Sequence, residues 1–374
     1  MDTLYRQRSN IYMAICIVFF SYFSLNFFGV NPAYFFMLAF VSITSMAIMV
    51  SRKVSYVSLI IIIFSLLMAI TQYIGISHAP ENLKVDRTSN YLSAIIFILS
   101  ILYSICFYEF FKRIPLAHRY RIYRGCGYIF ILYLSLELFI RIAIGNSSIG
   151  LLYGFKKSLF YFDSNFTGLV IMSFLMFFLY MKNVGMQKTK VFILLLMILI
   201  VLTVSRAAIL ATIICLFVFI NHKSFRLKGF ISLMFYLVVF FTICILYLFD
   251  DVNFLNIDGS FNSKFYIVNK AMELYEQLPH FSIMFGLGLG NFDKFTEIFA
   301  HNIFVTMFME MGIVGTLLFL LFIAFSIRIS RGAASYIWLP TFVCGVSLFG
   351  VYSPYLFLIN TAILLESKND TGVS

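Results

Sequence analysis

The chain has 374 residues, of which 62% are apolar and only 11% are charged, and its mean hydropathy is +0.97. Soluble domains carry about 25% charged residues, so this composition excludes a soluble enzyme, a disordered chain and a disulfide-stabilised scaffold. The formal charge of +11 does not indicate nucleic-acid binding, because Lys and Arg lie in short segments between apolar runs. The sequence predicts an all-α, polytopic integral membrane protein that forms a single transmembrane domain over residues 1–374.

Apolar runs follow one another along the chain, and they predict the membrane helices. The runs cover residues 11–28, 34–50, 54–74, 91–111, 125–144, 166–181, 191–220, 230–249, 303–327 and 336–365. As one helix, the run 191–220 would be about 45 Å long, which exceeds a hydrocarbon core of about 30 Å. Lysines flank it on both sides, and Ser205-Arg206 interrupts it. We therefore predict two short helices that meet at Arg206, near the outer face.

The run 336–365 predicts a second hairpin, which turns at Pro354. The total is then about 12 transmembrane helices in the plasma membrane, with both termini in the cytoplasm. Most of the 27 Lys and Arg residues fall on the side assigned to the cytoplasm, and most of the 16 acidic residues fall outside. The longest loop covers about residues 250–300 on the outer side. Within it, residues 264–278 have the apolar spacing of an amphipathic helix that lies along the membrane surface.

Ionisable residues inside a membrane are costly, so each of them is a candidate for function. Arg141 lies four residues after Glu137 in the fifth predicted helix, where Arg141 either pairs with that carboxylate or helps to hold an anion. Arg206 places a guanidinium, whose donors suit diphosphate oxygens, at the tip of a predicted hairpin. A headgroup contact is the alternative for Arg206. Lys156, Lys157, Asp163 and Asn165 form a polar outer cluster before the sixth helix.

His301 begins the helix that follows the long loop, either as a capping residue or as a group that exchanges a proton near neutral pH. Glu310 follows nine residues later. The segment 286–292 contains three alternating glycines, and it predicts a tight outer turn whose backbone amides approach a substrate. The outer tyrosines Tyr153, Tyr161, Tyr266 and Tyr275 are candidates for stacking on sugars. All six cysteines lie in apolar runs and no His pair has metal-ligand spacing, so we predict no metal or cofactor.

Three segments of the chain together resemble one family. They are Asp163-Ser-Asn165-Phe-Thr-Gly168, then Ser205-Arg206, and then Gly286-x-Gly288-x-Gly290 followed by His301-Asn302-x7-Glu310-x-Gly312-x2-Gly315. The combination resembles the bacterial O-antigen polymerase and O-antigen ligase superfamily, which handles undecaprenyl-diphosphate-linked glycans at the outer face of the inner membrane. The resemblance implies a metal-independent membrane glycosyltransferase in which Arg206 binds the diphosphate and His301 activates the acceptor.

We therefore predict an O-antigen, or related surface polysaccharide, polymerase. Its catalytic residues would be His301 and Glu310, and its substrate-binding residues Arg206, Arg141, Lys156, Lys157, Asp163, Asn165 and Asn302. Its partners would be lipid-linked oligosaccharide, membrane lipids, and a chain-length regulator and a flippase of the same pathway. Two alternatives stay open: a ligase that transfers glycan to lipid A-core, and a transporter of lipid-linked sugars. A transporter favours charges near the membrane midplane, whereas these charges gather at the outer side.

Overall fold

The computed structural model describes residues 2–22, 32–51, 54–144, 164–219, 259–345 and 354–367, and all regular elements in these ranges are helices. The predicted helix at 230–249 lies outside the described residues. The longer helices are α1 (Asp2–Tyr22), α2 (Pro32–Ser51), α3 (Tyr56–Ser77), α4 (Leu92–Phe111), α5 (Leu116–Ile144), α6 (Ser164–Asn183), α7 (Thr189–Leu202), α8 (Arg206–Phe219), α9 (Gly259–Tyr275), α10 (His280–Phe285), α11 (Gly312–Ile329), α12 (Ser335–Gly345) and α13 (Pro354–Glu366). A helical turn at Ile303–Val305 and a π-helical segment at Thr306–Met311 lead directly into α11.

Five helical spans in the described ranges are long and apolar enough to cross a membrane: Tyr56–Ser77, Leu92–Phe111, Leu116–Ile140, Asn165–Asn183 and Ile303–Ile329. Five further apolar helices are shorter, among them α7, α8 and α13. The chain is therefore a multi-pass, helical membrane protein. The count of about 12 crossings and the cytoplasmic placement of both termini stay predictions.

The predicted break in the run 191–220 is confirmed, because α7 ends at Leu202 and α8 begins at Arg206. Near the start of α7, Phe192 stacks on Phe178 of α6, with ring centroids 4.9 Å apart. At the other end of the pair, Phe219 of α8 stacks on Tyr336, whose hydroxyl accepts a hydrogen bond from Asn183 at the end of α6. The start of α7 and the end of α8 both lie near the end of α6. The two helices therefore run in opposite directions along it.

One predicted boundary is wrong, because α5 begins at Leu116 and not near residue 125. The basic segment before residue 125 is therefore helical, although its charge favours a loop. Arg119, which is 5% exposed, forms a two-point ion pair with Glu366 at 2.6 and 3.0 Å, and the Tyr123 hydroxyl donates to the same carboxylate. A buried arginine that is paired in this way does not end a helix. The ion pair also fixes the end of α13 against α5.

The predicted amphipathic helix is present as α9, and its predicted apolar face of Phe265, Val268, Ala271 or Met272, and Tyr275 is confirmed in part. Phe265 and Ala271 are buried, and Val268 packs against buried apolar residues. Met272 and Tyr275, which the spacing placed on the apolar face, are exposed. The buried face belongs to a small hydrophobic cluster, here called the loop-end core, formed by Ala79, Ile267, Ala271, Leu274, Leu278, Leu287, Phe292, Phe295, Val305 and Met309. Helix α9 therefore packs on the segment that precedes α11. The placement of α9 along a membrane surface stays a prediction.

Candidate functional site

Several helix ends meet at one end of the bundle, here called the loop end, where α3 and α12 finish and α6 and α8 begin. Gly168 in the second turn of α6 meets Ser205, directly before α8, and Gly345 at the end of α12 meets Ile303. Gly75, near the end of α3, meets the backbone oxygen of Phe285, which lies before the glycine segment. The loop end therefore brings together parts of the chain that are more than 200 residues apart in sequence.

Arg206 is the first residue of α8, and its side chain is exposed at the loop end. A Cβ at Gly168 would lie 2.9 Å from the Cβ atoms of both Ser205 and Ala208, so only glycine allows α8 to start this close to α6. Arg206 adds its charge to the positive end of the α8 dipole. The charge of Arg206 and the positive end of the helix dipole lie at one exposed position, and both favour the binding of an anion there.

His301 lies at the same end of α6. Its imidazole packs edge to face against Phe166, with ring centroids 6.0 Å apart, and a second aromatic ring, that of Phe299, lies 5.7 Å away. The backbone amide of His301 donates to the carbonyl of Phe299 at 2.8 Å, which holds the turn before the helix. Phe166 and Gly168 are two residues apart, so the first two turns of α6 contact both the His301 ring and the start of α8. Asn165, which is half-buried, belongs to the same stretch of α6.

Asn302 is fully buried and caps the helical turn that follows it. Its Oδ1 accepts hydrogen bonds from the amides of Phe304 at 2.8 Å and Val305 at 3.4 Å. The cap satisfies amides at the start of the helix that have no partner within it. Asn302 therefore fixes the direction in which the chain leaves His301. The predicted contact of Asn302 with substrate stays a prediction.

Glu310 lies in the π-helical segment and is 1% exposed. Its Oε1 accepts a hydrogen bond from the amide of Phe292 at 3.2 Å, and its backbone carbonyl accepts one from Gly288 at 3.0 Å. These contacts place Glu310 beneath the glycine segment 286–292. The structure therefore gives this carboxylate a role in positioning that segment, and the predicted catalytic role stays a prediction.

The expectation that the glycine segment offers its backbone amides to a substrate is wrong. The amides of Gly286, Leu287, Gly288 and Asn291 donate to backbone carbonyls, and those of Leu289 and Phe292 donate to the side chains of Gln72 and Glu310. Within the segment, only the Gly290 amide has no acceptor in the described part of the chain. The segment therefore cannot serve as a nest of free donors around an anion.

The glycines are required for close packing instead. Gly286, Gly288 and Gly290 have φ values of +79°, +88° and +75°, which residues other than glycine rarely adopt. A Cβ at Gly286 would lie 2.4 Å from the carbonyl oxygen of Glu310, and a Cβ at Gly312 would lie 2.3 Å from the nitrogen of Gly286. The segment is thus a compact backbone wedge between the end of α3 and the start of α11.

The side chains of the remaining predicted site residues lie outside the described part of the chain. Lys156, Lys157 and Asp163 lie outside the described residues. Arg141 belongs to the last turns of α5, and its side chain, with its predicted pairing to Glu137, also lies outside the described part. Within the described ranges, no three His, Cys, Asp or Glu side chains converge on a point where they could hold a metal ion.

Lys264 is a cation near the loop end that was not among the predicted site residues. It lies near the start of α9, close enough to the Cys344 thiol of α12 for the two groups to interact electrostatically. Cys344 precedes Gly345, which packs on Ile303, two residues after His301. The sequence offered no signal for this placement, because it depends on how α9 packs against the bundle.

A salt bridge and backbone hydrogen bonds join the two loops that border the glycine segment. The Lys294 ammonium lies 2.9 Å from the Asp86 carboxylate, and the Lys294 carbonyl accepts hydrogen bonds from the amides of Val85 and Asp86. The hydrogen bond from Lys294 holds the pKa of Asp86 well below its usual range, and Asp86 in turn raises the pKa of Lys294. The Asn90 amide donates to the Asn291 side chain at 2.8 Å. These contacts hold the end of the glycine segment in addition to those made by Glu310.

One part of the chain matches a family model of known proteins. Residues 191–320 match the family model described as O-antigen ligase, and this range contains Arg206, Lys264, His301 and Glu310. No curated protein matches the chain. The family match confirms the resemblance to the O-antigen polymerase and ligase superfamily and supports polymerase or ligase activity in general.

Proposed function

We propose that this chain is a membrane glycosyltransferase of the O-antigen polymerase type, which extends a surface polysaccharide at the outer face of the bacterial inner membrane. The observation that carries the proposal is the placement of Arg206 and His301 around the first two turns of α6. An exposed guanidinium and an imidazole at one end of a membrane bundle match the two tasks of transfer from a lipid diphosphate. One group neutralises the leaving group, and the other takes the acceptor proton.

The proposed reaction uses undecaprenyl-diphosphate-linked glycan as the donor. A hydroxyl oxygen of the acceptor sugar forms a bond to the anomeric carbon of the donor, and the bond from that carbon to the diphosphate oxygen breaks. The hydroxyl proton passes to the imidazole of His301, and the bonding electron pair leaves with undecaprenyl diphosphate. The donor already contains the activated bond, so this chemistry requires no nucleotide sugar and no metal. Placing the two substrates together and stabilising the departing charge are the main tasks of the protein.

Arg206 is proposed to hold the diphosphate, because a guanidinium can donate two parallel hydrogen bonds to phosphate oxygens. The N-terminus of α8 adds a favourable field for an anion. Lys264 would supply a further positive charge from α9. Lys156 and Lys157 are proposed to do so from the segment that precedes α6. Four further residues are proposed to contact sugars or phosphate: Asp163, Asn165, Asn302 and Arg141. Glu310 is proposed to support the site by holding the glycine segment 286–292 in position.

A ligase that transfers finished glycan to lipid A-core is the second candidate, and it is favoured by the description of the matched family model. Both reactions use the same donor and the same kind of leaving group. They differ in the acceptor, so the same residues serve either of them. We favour the polymerase because the sequence is rich in phenylalanine and its predicted loops are few. A chain-length regulator and a flippase of the same pathway are the proposed protein partners.

Glycan profiling of a strain that lacks this chain tests the proposal. A polymerase predicts lipid A-core that carries a single repeat unit, because ligation continues while chain growth stops. A ligase predicts bare lipid A-core together with accumulated lipid-linked polymer. An unchanged glycan profile would overturn both candidates, and complementation with the intact chain is the control.

A further inference from the structure

Phe299 exposes an aromatic ring directly beside His301. Its side chain is 63% exposed, whereas its neighbours Ile298 and Ala300 pack against the loop-end core. The carbonyl of Phe299 accepts the 2.8 Å hydrogen bond from the His301 amide, and the two ring centroids are 5.7 Å apart. The backbone therefore turns this ring outward and holds it at a fixed distance from the imidazole.

The turn that presents Phe299 is polar. Glu297, two residues earlier, is exposed and has a φ of +61°, and the hydroxyl of Thr296 donates to the carbonyls of Phe292 and Ile298. An exposed carboxylate next to a hydrocarbon core would be costly, so this turn lies in water or among headgroups. The ring of Phe299 therefore lies on a polar turn, and most of its surface is exposed although it contacts the His301 imidazole.

We propose that the exposed face of Phe299 is a stacking platform for the acceptor sugar. The face of an aromatic ring is electron-rich and attracts the weakly positive C–H groups on the apolar face of a pyranose. A sugar stacked on the exposed face of Phe299 would bring its edge hydroxyl towards the imidazole, because the His301 ring is in direct contact with the Phe299 ring, with centroids 5.7 Å apart. This inference rests on the proposed function and adds an acceptor subsite, of which Phe299 is the platform and His301 the proton acceptor.

The sequence predicts other aromatic residues, four tyrosines, as candidates for stacking on sugars. Tyr153 and Tyr161 lie outside the described residues, whereas Tyr266 and Tyr275 are exposed on α9 and stay candidates for sugar contact. The rings of Phe166 and Phe299 both contact the imidazole of His301. The sequence did not predict that any of the four tyrosines lies near His301. Phe166 is half-buried on α6, whereas Phe299 is mostly exposed, so Phe299 is the better placed of these two rings to receive a sugar.

Substitution of Phe299 tests the platform by kinetics. The assay transfers labelled glycan from extracted lipid-linked polymer to the lipid-linked single repeat unit extracted from the deletion strain. For Phe299→Leu, which keeps the apolar character but removes the ring, we expect KM for the repeat unit to rise about tenfold while kcat changes little. Phe299→Trp should restore the wild-type KM. An unchanged KM in Phe299→Leu would overturn the platform, because a mere lipid anchor tolerates leucine.

Phe281 provides the matched control. It is also an exposed phenylalanine beside an imidazole, since it is 42% exposed and its ring centroid lies 5.0 Å from that of His78. Phe281→Leu should leave KM for the repeat unit at the wild-type value. An equal rise in KM in both variants would show a general effect of losing surface aromatic rings, and it would overturn the specific role of Phe299.

Fluorescence provides a second readout that does not depend on the leucine variant folding. The chain contains one tryptophan, Trp338, which is 1% exposed and hydrogen-bonded to Asn360, so its emission should not respond to surface ligands. In Phe299→Trp, the added indole should shift its emission when the lipid-linked repeat unit is added, and undecaprenyl diphosphate without sugar should leave it unchanged. No shift with the repeat unit, in a variant that is active, would overturn the inference.

The two proposals fail in different ways. If undecaprenyl diphosphate inhibits transfer and the deletion strain has the expected glycan defect, the proposed function stands whatever the Phe299 variants do. If the deletion strain has a normal glycan profile, the acceptor subsite fails together with the proposed function.

Discussion

The imidazole of His301 packs edge to face on Phe166, with ring centroids 6.0 Å apart. Two residues further along α6, Gly168 meets Ser205, which directly precedes Arg206. One stretch of α6 therefore supports both the candidate proton acceptor and the candidate anion-binding cation. Because these groups come from distant parts of the sequence, small shifts of α6 or α8 should alter their relative position.

Gly168→Ala should displace the start of α8. The added methyl would lie 2.9 Å from the Cβ atoms of Ser205 and Ala208, so the helices must separate. We expect the free energy of unfolding to fall by about 1–3 kcal/mol and the glycan chains to shorten. Thermal unfolding in detergent and glycan profiling measure the two effects.

Gly125→Ala is the control for that substitution. Gly125 also lies in a helix, but a Cβ there meets nothing within 4 Å. This variant should keep wild-type chain lengths and be as stable as the wild type or slightly more stable. Equal behaviour of the two alanine variants would contradict the close fit between α6 and α8.

Arg206→Ala should abolish long glycan chains while the protein remains in the membrane, because the diphosphate would lose its main counter-charge. Arg206→Lys keeps the charge without the planar donors, so it should retain part of the activity. Arg121→Ala, which removes an exposed arginine from α5, is the control and should leave chain length unchanged. Normal chain lengths in Arg206→Ala would remove this residue from diphosphate binding.

His301→Ala should severely reduce polymerisation, because no group would remain at this position to take the acceptor proton. The wild-type rate should also fall as the pH is lowered below neutrality, since a protonated imidazole cannot accept a proton. The residual rate of His301→Ala should lack this pH dependence. The transfer assay at several pH values measures both effects. Wild-type activity in His301→Ala would show that His301 is a structural residue at the start of the helix and not the proton acceptor.

The turn at Arg206 could be predicted from the sequence because two simple quantities decide it. The run 191–220 is too long for one crossing, and its flanks carry the same charge sign. The start of a helix after His301 was likewise visible in the change from polar to apolar residues. Length, hydropathy and charge are properties of a segment by itself, so they can be determined without knowledge of its neighbours.

The role of the glycine segment could not be predicted in the same way. Alternating glycines show that the backbone can adopt positive φ values, but they do not show what it meets. In the fold, the Leu289 amide meets Gln72 of α3 and the Phe292 amide meets Glu310 of the π-helical segment. The position of Lys264 near Cys344 is hidden from the sequence for the same reason. These features arise from tertiary contacts between segments that are distant in the chain.

Glu310 variants separate a positioning role from a catalytic one. Glu310→Gln keeps an oxygen that can accept the hydrogen bond from Phe292, so it should retain most of the transfer rate. Glu310→Leu leaves that buried amide without an acceptor, and we expect a loss of about 1–3 kcal/mol in the free energy of unfolding. Loss of transfer in Glu310→Gln, with normal thermal unfolding, would instead support the predicted catalytic role.

The ion pair between Asp86 and Lys294 should not contribute to any pH dependence of activity near neutrality. The pKa of Asp86 is lowered by the hydrogen bond from Lys294, so its stabilising effect is complete above the ordinary carboxyl pKa of about 3.9 and is lost only at lower pH. The pKa of Lys294 is raised, so its effect is complete below the ordinary lysine pKa of about 10.4 and is lost only at higher pH. Between these limits the pair stays fully charged.

Asp86→Asn tests this expectation. Hydrogen exchange at the two backbone amides that donate to the Lys294 carbonyl, those of positions 85 and 86, should be faster in the variant than in the wild type. The factor should be the same at about pH 6 and about pH 8, because the wild-type pair is charged at both values. The difference should shrink as the pH falls below about 4, where the Asp86 carboxylate of the opened wild-type chain takes up a proton and the stabilisation by the ion pair is progressively lost. The variant should keep the wild-type fall in transfer rate on mild acidification, since that fall is assigned to His301. A shifted pH profile in Asp86→Asn would instead place the titrating group in this ion pair.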